Sequence, residues 1–164
     1  MLLKNIIEEY MIKTTPLQDR IDPNTGKPKA LQHNENDAAN EKRVADALYE
    51  TQGIILHGYA KYSPIDYWME KDNAVIGFAE LKTSFIKDHQ FAYLNARKYV
   101  NLQMAACGFN CKAYFITQRI DGSIYICDVN NLQGEVKIVD RGLDGKNERE
   151  PVKAVPLNSM YKLI

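Results

Sequence analysis

The sequence predicts an α/β protein in which a mixed central sheet is flanked by helices, with the core elements in the order αβββαβ. Three observations support this fold class: segments with the period of amphipathic helices, apolar or alternating segments typical of strands, and turn residues between them. The chain of 164 residues suffices for one domain, 1–164, with a single core. We predict that core over residues 35–118 and a C-terminal β extension over residues 119–164.

Two segments precede the predicted core. Residues 1–14 carry apolar positions at helical spacing and predict a peripheral helix, whose mixed polar face favours packing on protein over a membrane surface. Residues 15–34 contain three prolines and the turn sequence Asp22-Pro23-Asn24-Thr25-Gly26, which predict a long loop. A loop that touches substrate and a plain connector are both open interpretations.

The core is predicted to begin with a helix over residues 36–51, which ends at Gly53. Glu41 lies on the apolar face of this helix. The apolar members of that face are Ala38, Val44, Ala45 and Leu48. A carboxylate on the buried side of a helix is costly unless it is paired or bound to a metal, and for Glu41 both interpretations are open.

Three strands are predicted next. The first covers residues 54–62, and a hairpin follows with strands over residues 65–70 and 75–83 joined by the polar turn Lys71-Asp72-Asn73. Successive side chains of a strand point to opposite faces of the sheet. The third strand therefore carries two sets of side chains, one for each face.

An acidic and a basic residue lie on one face of the third strand, which is shared by Phe78, Glu80 and Lys82. The hairpin can place Asp66 beside Glu80, and two carboxylates held together repel unless a proton or a cation lies between them. Such oxygen ligands suit Mg²⁺, which binds one or two carboxylates and keeps its waters. With Lys82 beside them, the arrangement suits phosphodiester hydrolysis.

A third helix is predicted over residues 90–107, after a short connection over residues 85–90. Gln103 is predicted on its packed face, where a buried amide must find partners. That face comprises Ala96, Tyr99, Val100, Gln103 and Cys107. On the other faces, Arg97 and Lys98 are candidates for contact with substrate phosphates, although a solvated pair is the default interpretation.

The rest of the chain predicts peripheral structure. A hairpin is expected about Asp121-Gly122, because this dipeptide favours a tight turn between strands. The elements of this region, in order, are strands over residues 112–117, 123–129 and 134–139, a polar segment over residues 141–150 and a peripheral segment over residues 151–164.

Asp66 followed by Glu80-Leu81-Lys82 resembles the signature of the PD-(D/E)XK nuclease superfamily, whose fold is restriction-endonuclease-like. The leading half departs from the pattern, because proline and aspartate are separated as Pro64-Ile65-Asp66. The predicted order of elements over residues 35–118 is the αβββαβ core of this superfamily. Leu102-Gln103-Met104-Ala105-Ala106 before a strand is similar to the phage-exonuclease and RecB-like branches.

The resemblance implies an Mg²⁺-dependent hydrolase of phosphodiester bonds in DNA, in which Mn²⁺ is expected to substitute. It implies that Lys82 orients or deprotonates the attacking water and that Gln103 reaches the active site. Those branches often carry a tyrosine four residues later, where this chain has Cys107, so a satisfied core amide stays an open interpretation of Gln103. The implied metal ligands are Glu41, Asp66, Glu80 and the backbone carbonyl of Leu81.

Composition sets further limits. The chain has 21 basic and 21 acidic residues, so it lacks a global electrostatic footprint for DNA. Residues 79–120 nevertheless hold six bases against two acids, which permits a DNA partner. Three cysteines argue against a disulfide framework. Without a run of membrane-span length or a signal-peptide pattern, we predict a cytoplasmic protein that does not bind membranes.

Two other interpretations stay open. One is a catalytically silent module of nuclease fold that binds nucleic acid or a protein partner, and the zero net charge favours it slightly. The other is an unrelated α+β domain whose charged residues form surface ion pairs. Endonuclease or exonuclease action, DNA or RNA substrate, and specificity are undetermined. A homo-oligomer is also open, because so small a domain would need a partner to cut two strands.

Overall fold

The computed structural model describes residues 35–59, 63–84, 90–141 and 148–164. The helix predicted over residues 1–14 and the loop after it lie outside the described residues. The helices and strands, in chain order, are α1 (Glu35–Gln52), β1 (Ile55–Gly58), β2 (Tyr67–Lys71), β3 (Ala74–Thr83), β4 (Phe91–Asn95), α2 (Ala96–Phe109), β5 (Lys112–Gln118), β6 (Ile124–Asp128), β7 (Glu135–Arg141), β8 (Glu148–Pro156) and β9 (Tyr161–Lys162).

The central sheet has six strands in the order β1-β2-β3-β5-β6-β9. Strands β3 and β5 are parallel and the other neighbours are antiparallel, so the sheet is mixed. Helix α2 packs on β3 and β5, and α1 contacts β1 and β3. The predicted α/β class, with a mixed central sheet flanked by helices, is confirmed. Among the described helices, none is long and apolar enough to cross a membrane.

The two faces of β3 contribute to different hydrophobic clusters, as strand alternation predicts. Phe78 packs with Leu102 and Ala106 of α2, whereas Ala79 and Leu81 pack in a cluster that contains residues of α1. The buried residues of α1 are Val44, Ala47 and Leu48. The predicted face of this helix was therefore wrong at two positions, because Ala38 is exposed and Ala45 is only half-buried.

The hairpin of β2 and β3 has the predicted strands and a tight turn. Asp72 and Asn73 both have positive φ, 53° and 62°, as in a two-residue turn whose twist matches that of the strands. Farther along β3, an added Cβ at Gly77 would lie 2.5 Å from the backbone oxygen of Lys112. A glycine is therefore required where β5 begins beside β3.

The prediction of one helix over residues 90–107 was wrong at its start. Residues Phe91–Asn95 form β4, which pairs with β8, and α2 begins at Ala96. The Asn95 side chain accepts hydrogen bonds from the backbone N–H groups of Arg97 and Lys98, which satisfies donors that the helix start leaves open. Both segments are rich in apolar residues, so the apolar pattern predicts one continuous element and hides the boundary between β4 and α2.

The packed face of α2 also differs from the prediction. Its buried residues are Leu102 and Ala106, whereas Val100 and Cys107 are exposed. The prediction shifted the face around the helix, because apolar residues occur on most sides of this segment.

The C-terminal region is not peripheral, as residues 151–164 had been expected to be. Strand β8 is the middle strand of a second sheet, in the order β4-β8-β7. Its Val155 is completely buried in the same cluster as Phe78 and Phe115 of the central sheet. The predicted hairpin about Asp121-Gly122 is confirmed as β5 and β6, and the predicted strand over residues 134–139 is confirmed as β7.

Candidate active site

Asp66 and Glu80 lie opposite each other where β2 begins. In this part of the hairpin Tyr67 pairs with Ala79 and Trp68 with Phe78, so the next pair in the same register is Asp66 with Glu80. The register shifts by one residue between Met69 and Glu70, where β3 contains a bulge. Without that shift Asp66 would lie opposite Ala79, with its side chain on the wrong face of the sheet.

Glu80 is a completely buried carboxyl group. Its burial, and next the charge of Asp66, raise its pKa to about 7, while Lys98 and Lys82 act in the opposite direction. Neither carboxylate oxygen receives a hydrogen bond of ordinary geometry from the described residues. A buried oxygen pair in this condition needs a cation or a proton nearby.

Two lysines supply positive charge to this carboxyl group. Lys98 Nζ donates a hydrogen bond to Asp66 Oδ1 and lies 3.0 Å from Glu80 Oε2, so it bridges the two acids. Lys82 Nζ lies 3.5 Å from Glu80 Oε1, and its side chain is 38% exposed. Burial alone lowers the pKa of Lys98, but the charges of Glu80 and Asp66 outweigh it and the pKa is raised.

Glu41 is connected to this site through Tyr67. The Tyr67 hydroxyl donates a hydrogen bond to the Glu41 carboxylate, and Tyr67 is also close enough to Asp66 and Glu80 for both charges to act on it. Burial and these three acids raise the pKa of Tyr67 far above its ordinary value. The predicted helix residue therefore bonds to Tyr67, the residue that follows Asp66 in the chain.

The other predicted site residues have different surroundings. Gln103 donates a hydrogen bond to the Tyr99 hydroxyl, 2.9 Å away within the same helix, so its amide has a structural partner. Arg97 is exposed in the first turn of α2. The Leu81 side chain belongs to the cluster on the α1 side of the sheet. The ammonium group of Lys98, which is predicted to contact phosphate, contacts both Asp66 and Glu80.

The carboxylate pair fits a divalent metal, because Glu80 brings two buried oxygens without ordinary hydrogen bonds and Asp66 lies beside it. Mg²⁺ needs only one or two carboxylates and completes its shell with water. Within the described residues, no group of three or more histidine, cysteine or acidic side chains could hold a metal ion, so a larger set of protein ligands is not present there. Glu41 is thus an additional ligand only by prediction.

Sequence reasoning missed the roles of Lys98 and Tyr67. Lys98 lies in the first turn of α2, which holds no acidic residue, and a cation there is unfavourable beside the positive end of the helix dipole. A lysine three residues after the capping Asn95 was therefore a signal that an anion lies nearby. Tyr67 follows Asp66 directly and gave no comparable signal.

The mixed central sheet with flanking helices is the architecture that the sequence predicts. No protein-family model and no curated protein matches the chain. A solved structure that is similar is Archaeoglobus fulgidus Hjc, a Holliday junction resolvase from an archaeal hyperthermophile. The two are 15% identical with a TM-score of 0.46, and the match covers 76% of this chain and 91% of that chain.

Proposed function

We propose that this protein is a metal-dependent nuclease that hydrolyses phosphodiester bonds in DNA. The observation that supports this most strongly is the pair of opposed acids, Asp66 and Glu80, with Lys82 on the same face of β3. An acid pair of this kind with an adjacent lysine provides both a cation site and a group that can act on water.

Asp66 and Glu80, with the Leu81 carbonyl, would hold one or two Mg²⁺ ions, for which Mn²⁺ would substitute, and Glu41 would complete the ligand set. When bound, such an ion supplies Lewis acidity toward a phosphate and lowers the pKa of water. The burial of Glu80 suits this role, because its oxygens are strong ligands when they are desolvated and charged.

Lys82 would act on the attacking water and on the charge that develops at phosphorus. Its ammonium group lies 3.5 Å from Glu80 Oε1. Because the side chain is partly exposed, water and substrate can still reach this ammonium group. Arg97, exposed at the start of α2, would contact a phosphate of the substrate. A role for Gln103 would use the parts of its amide that do not bond to Tyr99.

The test is cleavage of labelled duplex, single-stranded and branched DNA with Mg²⁺, Mn²⁺ or EDTA. We expect metal-dependent cleavage by the wild type, a loss of roughly a hundredfold or more in Lys82→Ala, and none in EDTA. Lys112→Ala is the matched control, because Lys112 pairs with Asp128 at the other end of the sheet. Cleavage that Asp66→Asn leaves unchanged would contradict the proposal.

A second candidate is a catalytically silent module that binds nucleic acid. Lys98 and Lys82 together already balance the charges of the two acids, which is how a site that binds no metal would be stabilised. This candidate predicts DNA binding without cleavage in any metal. The same labelled substrates distinguish cleavage at strand ends from cleavage at internal sites. Size-exclusion chromatography of the wild type tests whether the protein forms a homo-oligomer.

A further inference from the structure

Lys98 is the residue with the closest contacts to both acids of the proposed metal site. Its ammonium group bonds to Asp66 and lies 3.0 Å from Glu80, whereas Lys82 lies 3.5 Å from Glu80 only. The Lys98 side chain is 22% exposed, so this contact is largely shielded from water. The acid pair is therefore held together by a cation that belongs to the chain.

An ammonium group and a divalent ion compete for the carboxylates of Asp66 and Glu80, because both are attracted to the same two acids and each cation repels the other. The ammonium of lysine is a donor only and has no lone pair to offer a metal. The two acids and two lysines of the site are already balanced in charge. A divalent ion entering beside Lys98 would leave an excess of two positive charges in a largely buried place, which is costly.

We propose that Lys98 is a built-in counter-ion that occupies the acid pair and is displaced by the divalent cation. The proposal rests on the proposed metal site. Because the lysine stem has four flexible carbons, the ammonium group can leave the acids without movement of α2. Lys98 therefore weakens metal binding and keeps Asp66 and Glu80 assembled while they are free of metal.

The first measurement is titration calorimetry of Mn²⁺ and Mg²⁺ with the wild type, Lys98→Gln and Arg97→Gln. We expect Lys98→Gln to bind metal about tenfold more tightly, since a site that its own lysine occupies most of the time loses affinity in proportion. Arg97→Gln removes the same charge from the neighbouring position and should change metal affinity less than about twofold. Equal affinities of Lys98→Gln and the wild type would overturn the proposal.

The second measurement follows displacement in the wild type, so it does not depend on the folding of a variant. Acetylation of lysines by a limiting reagent is measured by mass spectrometry with and without Mg²⁺. We expect Lys98 to react several-fold faster with Mg²⁺, while Lys42, which is 75% exposed, keeps its rate. An unchanged rate at Lys98 at a metal concentration that saturates the site would show that the lysine stays in place.

The two proposals fail differently. If the wild type binds metal and cleaves DNA but Lys98→Gln binds metal no more tightly, only the counter-ion role is lost. If neither protein binds a divalent ion, both the counter-ion role and the metal-dependent nuclease are wrong.

Discussion

Two ion pairs of this protein have similar chemistry and very different surroundings. Lys42 Nζ lies 2.5 Å from Asp46 Oδ2 on the outer side of α1, where the side chains are 75% and 53% exposed. Lys98 contacts Asp66 and a Glu80 that is completely buried. Water competes for the first pair but is excluded from most of the second, so desolvation rather than the distance between charges decides what each pair contributes.

Removing the buried cation should have the largest effect. In Lys98→Met the two acids lose their bridging charge, and we expect the metal-free protein to be less stable by about 3 to 5 kcal/mol. Urea unfolding in EDTA at pH 8, above the pKa of Glu80, measures this change. Lys112→Met is the control, because the Lys112 side chain is 65% exposed and should matter little. A loss below about 1 kcal/mol in Lys98→Met would mean that the acids are stabilised in another way.

The buried acid should also make stability depend on pH. The native state keeps a proton on Glu80 up to about pH 7, whereas the unfolded chain releases it near pH 4.5. The native state therefore binds more protons within this window, and stability falls as the pH rises through it, by about 3 kcal/mol in total.

This pH effect is measured by unfolding wild type and Glu80→Gln in EDTA at several values from pH 4.5 to pH 8. The glutamine cannot titrate. The free energy of unfolding of Glu80→Gln should therefore not show the decrease with rising pH that the ionisation of Glu80 causes in the wild type. Parallel curves for the two proteins would show that Glu80 ionises in the native state as it does in the unfolded chain.

The exposed pair should give the smallest effect. We expect Lys42→Met to change stability by no more than about 0.5 kcal/mol, because solvent and salt screen an exposed pair four residues apart on a helix. A double-mutant cycle with Asp46→Asn isolates the coupling between the two side chains. A coupling energy above about 1 kcal/mol would remove the contrast between the exposed and the buried pair.

Much of the fold followed from local signals. The period of α1, the alternation in β3 and the turn at Asp72 and Asn73 each depend on neighbouring residues, and the structure has these elements in place. Strand β4 was missed because its ladder partner β8 lies far along the chain and supplies the hydrogen bonds that make it a strand. The Asn95 cap between β4 and α2 was the local signal that could have separated them.

For the site, the sequence alone determined that Glu80 and Lys82 share a face of β3, because alternation is a property of one strand. Only the tertiary structure decided that the bulge in β3 brings Asp66 opposite Glu80 and that Lys98 reaches both acids. The physical reason is that register and long-range ion pairs depend on which packing buries the apolar faces together, whereas strand alternation is set by the backbone of a few adjacent residues.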